Sequence, residues 1–172
     1  MGKPNIVLIG LSGCGKTTFA KRLGARYRMP VFDMDKEIVR QAGKSVAEIF
    51  AEEGEQGFRD RETAVAKTAG QLEGTIISTG GGVVLREENM EALKANAVVV
   101  FLDRAPEEIL GEDLSDRPLV ADDRRKIYRL REERLPLYTR YADRIVRNRR
   151  TKEGTEAALA QALPRPGVEG RL

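Results

Sequence analysis

Apolar residues fall into two alternating patterns along this chain, short unbroken runs and longer stretches with helical spacing. Asn5-Ile6-Val7-Leu8-Ile9 is a β-branched run ending at Gly10, which predicts a strand buried on both faces. From Lys16, the apolar residues Phe19, Ala20 and Leu23 recur at helical spacing up to Tyr27, and Pro30 breaks the pattern before the short run Val31-Phe32. Ser45-Val46-Ala47-Glu48 has the form of a helix capping box ahead of Ile49 and Phe50. Beyond Gly54 and Gly57 a second helical stretch is predicted from Phe58 to Leu72, so that two helices are hinged by glycines. Thr75 to Thr79 and Ala97 to Leu102 read as strands, stopped by Gly80-Gly81-Gly82 and by Asp103, with a helix from Glu87 to Leu93 between them. A short helix led by Pro106, a long charged helix from Asp122 to Arg134, a weaker strand Arg144-Ile145-Val146 and a last helix from Glu153 to Leu163 complete the series.

Strands alternating with helices imply an α/β fold whose parallel sheet is covered on both faces, with ligands held at the carboxyl ends of the strands. Each glycine-rich or charged stop lies at such an end, so the stops converge on one site. The length of 172 residues and 41% hydrophobic content fit one domain, expected over residues 1–164, with 165–172 as a flexible tail. No apolar run approaches the ~18–20 residues that span a bilayer, and the start MGKPNIVLIGLSGCGKTT breaks into glycines and a lysine too early for a signal-peptide core, so no membrane partner and a cytoplasmic location are expected. The chain has no histidine and one cysteine, Cys14. That leaves no disulfide framework and no usual zinc or thiolate-histidine site, and acid-base work falls to Asp, Glu, Lys or Tyr. The net charge of +3 permits an anionic ligand without arguing for nucleic acid.

Gly10-Leu11-Ser12-Gly13-Cys14-Gly15-Lys16-Thr17 matches G-x-x-x-x-G-K-[ST] in full, between a predicted strand and a predicted helix. Its glycines let backbone N–H groups turn inward around a phosphate, the helix N-terminus adds its positive end, and Lys16 reaches the β and γ oxygens. Thr17 offers a hydroxyl to Mg²⁺. Two acids compete for the second position at the metal. Asp103 ends an apolar strand, whereas Asp33 ends the strand after the first helix and is followed two residues on by Asp35. In an extended segment, residues two apart point the same way, so both aspartates would face the site. Asp33 also reads as a helix N-cap.

A switch GTPase needs D-x-x-G and N-K-x-D strings, and neither occurs. A compact phosphotransferase fits the size. The ordered blocks Gly10–Thr17, Asp33-Met34-Asp35, Gly54-Glu55, Phe58-Arg59-Asp60-Arg61-Glu62, Ser78-Thr79-Gly80-Gly81-Gly82, Arg117-Pro118-Leu119 and Arg134-Leu135-Pro136-Leu137-Tyr138 resemble the shikimate kinases over about Asn5 to Val146. The resemblance implies a P-loop fold with a five-stranded parallel sheet in the order 2-3-1-4-5. It further implies substrate-binding helices at about 33–62, a lid at about 111–122, and phosphate transfer from MgATP to the 3-hydroxyl of shikimate. It makes Gly13, Cys14, Gly15, Lys16, Thr17 and Thr18 the nucleotide-binding stretch, Thr17 and Asp33 the metal residues, and Asp35 the residue that meets the acceptor hydroxyl. Arg59, Arg134 and the turn Gly80, Gly81, Gly82 bind the substrate, and Arg117 reaches the γ-phosphate from the lid. Lys16, Asp35 and Arg117 are then the catalytic set, and Asp103 loses its claim on the metal. Forked guanidinium donors from two distant segments suit a carboxylate on a small polyol.

Leu110-Gly111-Glu112-Asp113 occupies the stretch where many shikimate kinases carry an adenine-packing arginine, so the adenine contacts are open. Arg147-Asn148-Arg149-Arg150 reads better as a solvated turn than as their replacement. A kinase of the same fold for homoserine or gluconate is the nearest alternative. A non-catalytic module that binds nucleotide or nucleic acid is less favoured, because Asp122, Asp123, Glu132 and Glu133 dilute the basic helix. A monomer is the default, no heptad seam being present.

Overall fold

The computed structural model describes residues 2–111 and 124–164. Arg117, the tail at 165–172 and all of the expected lid except Gly111 lie outside the described residues. Strands β1 (Asn5–Ile9), β2 (Val31–Asp33), β3 (Ile76–Ser78), β4 (Ala97–Asp103) and β5 (Arg144–Arg147) form one all-parallel sheet in the order β2-β3-β1-β4-β5, as expected. The helices are α1 (Lys16–Tyr27), α2 (Met34–Ala42), α3 (Val46–Gly70), α4 (Glu87–Lys94), α5 (Pro106–Leu110), α6 (Arg124–Tyr141) and α7 (Lys152–Ala162), with a 3₁₀ turn at Val83–Leu85.

Side chains alternate across the sheet with the period of two that a strand dictates. Val7, Ile9, Ile77, Val99 and Phe101 face one core with Met34, Ile38, Ile49, Phe58 and Tyr138. Ile6, Leu8, Ile76, Val100 and Leu102 face the other with Phe19, Leu23 and Leu159. Both faces are therefore covered, which is why the central strands read as unbroken apolar runs. The edge strands are the exceptions: β2 leaves Val31 41% exposed and β5 leaves Ile145 58% exposed, and their sequence patterns are correspondingly shorter or weaker.

Three expectations are corrected. Two helices do meet at a glycine hinge, but the hinge is Gly54 alone (φ 74°, ψ 178°), while Gly57 is helical and the second helix begins ahead of Phe58. Only Gly54 has the backbone geometry that favours glycine. The charged helix does not stop at Arg134 but continues through Pro136 to Tyr141. Pro136 is exposed, and the turn beyond it is held by Tyr138, which is buried against Phe101 with ring centroids 5.0 Å apart. Burial of that turn outweighs the hydrogen bond that proline forfeits. Finally, Asp33 and Asp35 are not two residues of one extended segment, because α2 begins at Met34 with Asp33 as its N-cap.

Candidate active site

The phosphate loop is shaped by glycines that take backbone conformations closed to other residues. Gly13 and Gly15 have φ of 89° and 104°. A Cβ on Gly10 would lie 2.6 Å from the Leu102 carbonyl oxygen and 2.8 Å from Cys14 Sγ. Cys14 is thus a buried packing residue under the loop. Lys16 folds back over the loop, its Nζ donating to the carbonyls of Gly10 (2.6 Å) and Leu11 (2.9 Å). The residue is only 6% exposed, so its ammonium is preplaced where loop and helix N-terminus meet. Thr18 is exposed on the first turn of α1.

Asp33 caps α2 and at the same time faces Thr17. Its Oδ1 accepts the Lys36 N–H (3.1 Å) as an N-cap, while Oδ2 accepts the Thr17 hydroxyl at 3.4 Å. Capping therefore fixes the carboxylate and leaves its other oxygen facing Thr17. Ser78 pairs in register with Asp33 on the neighbouring strand and is buried beside it. A cavity of about 370 Å³ between α1, β2 and α2 takes Thr17, Asp33 and Ser78 as one wall; the glycine turn and the two arginines do not line it. Asp103 is engaged elsewhere, accepting from Arg131 of α6 at 2.7 Å.

On the other side of Lys16, charged residues from three helices close on the turn Gly80–Gly82. The missing Cβ atoms make that approach possible. A Cβ on Gly80 would lie 2.9 Å from Asp35 Oδ1 and 3.0 Å from Glu62 Oε2, one on Gly81 3.0 Å from Ser12 Oγ and 3.4 Å from Arg134 Nη1, and one on Gly82 2.3 Å from Arg59 Nη1. The turn therefore touches Asp35 of α2, Arg59 of α3, Arg134 of α6 and Ser12 of the phosphate loop. Asp35 faces the site from a helix first turn rather than from an extended strand. Burial pushes its carboxyl above the usual range, with Asp33 acting in the same sense and Lys16 and Arg59 opposing.

Arg59 lies along the Phe58 ring, 5.2 Å from its centroid, and Nη1 donates to Glu62 Oε1 at 2.9 Å. Glu62 is fully buried, and burial raises its carboxyl against the pull of Arg59. Phe50 and Phe58 stack with centroids 4.7 Å apart beside it. Tyr138 donates its hydroxyl to the Gly81 carbonyl at 2.5 Å, tying the turn to α6. Among the described residues four buried side-chain polar atoms lack a hydrogen-bond partner, and Asp35 Oδ1, Glu62 Oε2 and Arg59 Nε, all at this place, are three of them. Buried polar atoms are rarely left unpaired, so three at one place are a concentration that a polar ligand would satisfy.

Glu62, Tyr138, Arg104 and Asn148 make contacts at the candidate site and have no role assigned from the sequence. Glu62 had a signal, standing one helical turn after Arg59. Arg104 Nη1 donates to the Gly13 carbonyl at 3.0 Å and Asn148 Nδ2 to the Cys14 carbonyl at 2.9 Å, contacts that only the folded chain makes. Arg147, Arg149 and Arg150 are exposed, as a solvated turn requires.

A glycine-rich loop at the end of β1, a hydroxyl and a carboxylate paired beside it, and two arginines with a carboxylate near its lysine define a P-loop phosphotransferase. Residues 12–163 match the family model for shikimate kinase. The chain is 42% identical over 149 residues to a shikimate kinase of Clostridium beijerinckii, covering 86% of this chain and 88% of that protein. It is 40% identical over 173 residues to one of Symbiobacterium thermophilum, covering 96% and 99%. A solved structure of shikimate kinase from Acinetobacter baumannii in complex with shikimate superposes with a TM-score of 0.85 at 34% identity, covering 92% of this chain and 89% of that one. The chain belongs to the shikimate kinase family and is a small-molecule kinase.

Proposed function

We propose that the ATP-dependent phosphorylation of shikimate by this chain is carried out by the residues gathered around Gly80–Gly82 and the phosphate loop. The observation that carries the assignment is the trio of buried, unpartnered atoms on Asp35, Glu62 and Arg59, beside Lys16 and Arg134. Arg59 and Arg134 take the substrate carboxylate as forked donors. Asp35 accepts a hydrogen bond from the 3-hydroxyl and aligns its oxygen on the γ-phosphorus. That oxygen forms the new P–O bond as the bond to the β–γ bridging oxygen breaks, ADP leaves, and the hydroxyl proton passes to Asp35. Phosphoryl transfer asks chiefly for alignment and charge neutralisation, so an aspartate serves where the chain has no histidine.

Lys16 exchanges its loop carbonyls for the β and γ oxygens. Thr17 and Asp33 suit Mg²⁺, a hard cation that takes one or two protein oxygens and otherwise waters and phosphates; no cluster of three or more His, Cys, Asp or Glu that could hold a metal occurs among the described residues. Bound there, the cation would neutralise charge on the transferring phosphate. Arg117 keeps its role in the lid by family resemblance. The same reading takes the chain as a monomer acting in the cytoplasm on small molecules, without nucleic-acid or membrane partners. No helix among the described residues is long and apolar enough to cross a membrane.

ADP release measured with MgATP against shikimate, homoserine, gluconate and nucleoside monophosphates tests the assignment. Release dependent on shikimate is expected, and activity confined to another acceptor would overturn it.

A further inference from the structure

The ends of β4 and β5 grip two consecutive peptide units of the phosphate loop from outside. Arg104, one residue past β4, holds the Gly13 carbonyl (3.0 Å), and Asn148, one residue past β5, holds the Cys14 carbonyl (2.9 Å). Asn148 is itself fixed at three points. Its backbone N–H donates to the Asp103 carbonyl (2.7 Å), its side-chain oxygen accepts from the Thr155 hydroxyl (3.1 Å), and its amide lies over Gly15, 3.2 Å from where a Cβ would be. Thr155, on α7, is fully buried and also accepts the Arg149 N–H at 2.7 Å.

A trans peptide is planar, so its C=O and N–H point in opposite directions. Holding the Gly13 carbonyl outward therefore turns the Cys14 N–H inward, where it closes the loop on the Leu11 carbonyl at 3.0 Å. Holding the Cys14 carbonyl outward turns the Gly15 N–H away from Asn148, toward the inside of the loop where a phosphate sits. Gly13 and Gly15 are flexible by nature and sit in the positive-φ region, so an external restraint on their peptides does what their own side chains do not.

We propose that Asn148, oriented by Thr155, and Arg104 are positioning residues that hold the phosphate loop in its anion-binding form before nucleotide arrives. The last strand and helix thereby become part of the nucleotide site although no atom of theirs need touch the reacting phosphate. This inference rests on the reading of Gly10–Thr17 as the ATP phosphate site.

Asn148→Ala, Thr155→Val and Arg104→Met remove the restraints singly, and Thr155→Ser keeps the hydroxyl. One lost hydrogen bond of about 0.5–1.5 kcal/mol corresponds to roughly a 2- to 13-fold change. The KM for MgATP and the Kd for MgADP are expected to rise within that range in the first three variants, with the KM for shikimate within about twofold of wild type and Thr155→Ser restored. In nucleotide-free protein, the amides of residues 13–16 should exchange hydrogen faster in Asn148→Ala and Thr155→Val, while those of α3 and β3 keep wild-type rates. That readout needs neither activity nor ligand, and it separates a loosened loop from a variant that is merely less stable. Wild-type nucleotide affinity in Asn148→Ala, unchanged exchange at residues 13–16, or parallel loss of nucleotide and shikimate affinity would overturn the proposal. Failure of the wild-type protein to bind MgADP would instead refute the reading of the loop as an ATP site.

Discussion

Gly82→Ala is the most selective probe of the acceptor side. At φ −99° the backbone there suits alanine, so the perturbation is steric alone. The new Cβ would lie 2.3 Å from Arg59 Nη1 and 2.5 Å from Cζ and Nη2, and the guanidinium must withdraw by about 1 Å to reach ordinary contact. It is the far end of a long side chain, so folding tolerates the move. We expect a stability loss held to about 1 kcal/mol, a shift of about 2–4 °C in melting temperature. Substrate binding does not tolerate it, because forked recognition of a carboxylate depends on the position of the guanidinium plane. Loss of one charged hydrogen bond costs about 1.5–3 kcal/mol, or about 10- to 150-fold. Initial rates with shikimate varied at saturating MgATP should show that rise in KM, with the KM for MgATP near wild type. A shikimate KM within about twofold of wild type, or an equal rise in both constants, would refute the placement of Arg59 against Gly82 as the carboxylate site.

Asp35→Asn should lower turnover by about 10²–10⁴-fold with little change in MgATP affinity, and near-normal turnover would remove Asp35 from the transfer step. Its stability should move the other way. Burial raises the Asp35 pKa, so the native protein keeps a proton where the unfolded chain has lost it. The stability associated with that protonation is present below about pH 4 and is lost as pH rises through the raised value. Thermal melts should therefore find the asparagine variant no less stable than wild type at neutral pH, with its relative advantage shrinking in acid. Asp33→Asn separates cap from metal, since asparagine caps a helix as well as aspartate does. The variant should melt near wild type yet need more Mg²⁺ for half-maximal rate, and an unchanged Mg²⁺ requirement would exclude Asp33 from the metal corner.

The parts of the site that are legible in the sequence are those whose geometry is local. Gly10 to Thr17 carries its own conformational rules, and the Ser45 cap forms as its spacing predicts, its Oγ accepting the Glu48 N–H at 3.1 Å. The spacing of Asp33 and Asp35 did not reveal their geometry, because the apolar Met34 between them opens a helix instead of extending a strand. What could not be read is the pairing of distant positions. Tyr138 holds Gly81 across 57 residues and Asn148 holds Cys14 across 134, and neither partner marks the other in the chain. The passage of α6 through Pro136 belongs to the same class, because a buried Tyr138 overrides a local preference that the sequence states plainly.

The cations proposed to receive substrate already have partners in the free protein. Lys16 donates to two loop carbonyls, Arg59 pairs with Glu62, and Arg134 lies against the Gly81 turn. Binding is accordingly an exchange of partners, and its free energy is the difference between new contacts and those surrendered. This makes the buried Glu62 informative. It keeps Arg59 fixed while leaving Nε unpaired, so a substrate carboxylate gains a donor that has no protein acceptor to give up. A neutral polyol accepting from the same guanidinium lacks the opposite charge that makes the carboxylate bond the stronger one. If Arg59 takes the substrate carboxylate as proposed, an acidic acceptor would be favoured by one unsatisfied nitrogen held in place by a carboxylate, whereas the sum of charges along the chain, only +3, gives no hint of it.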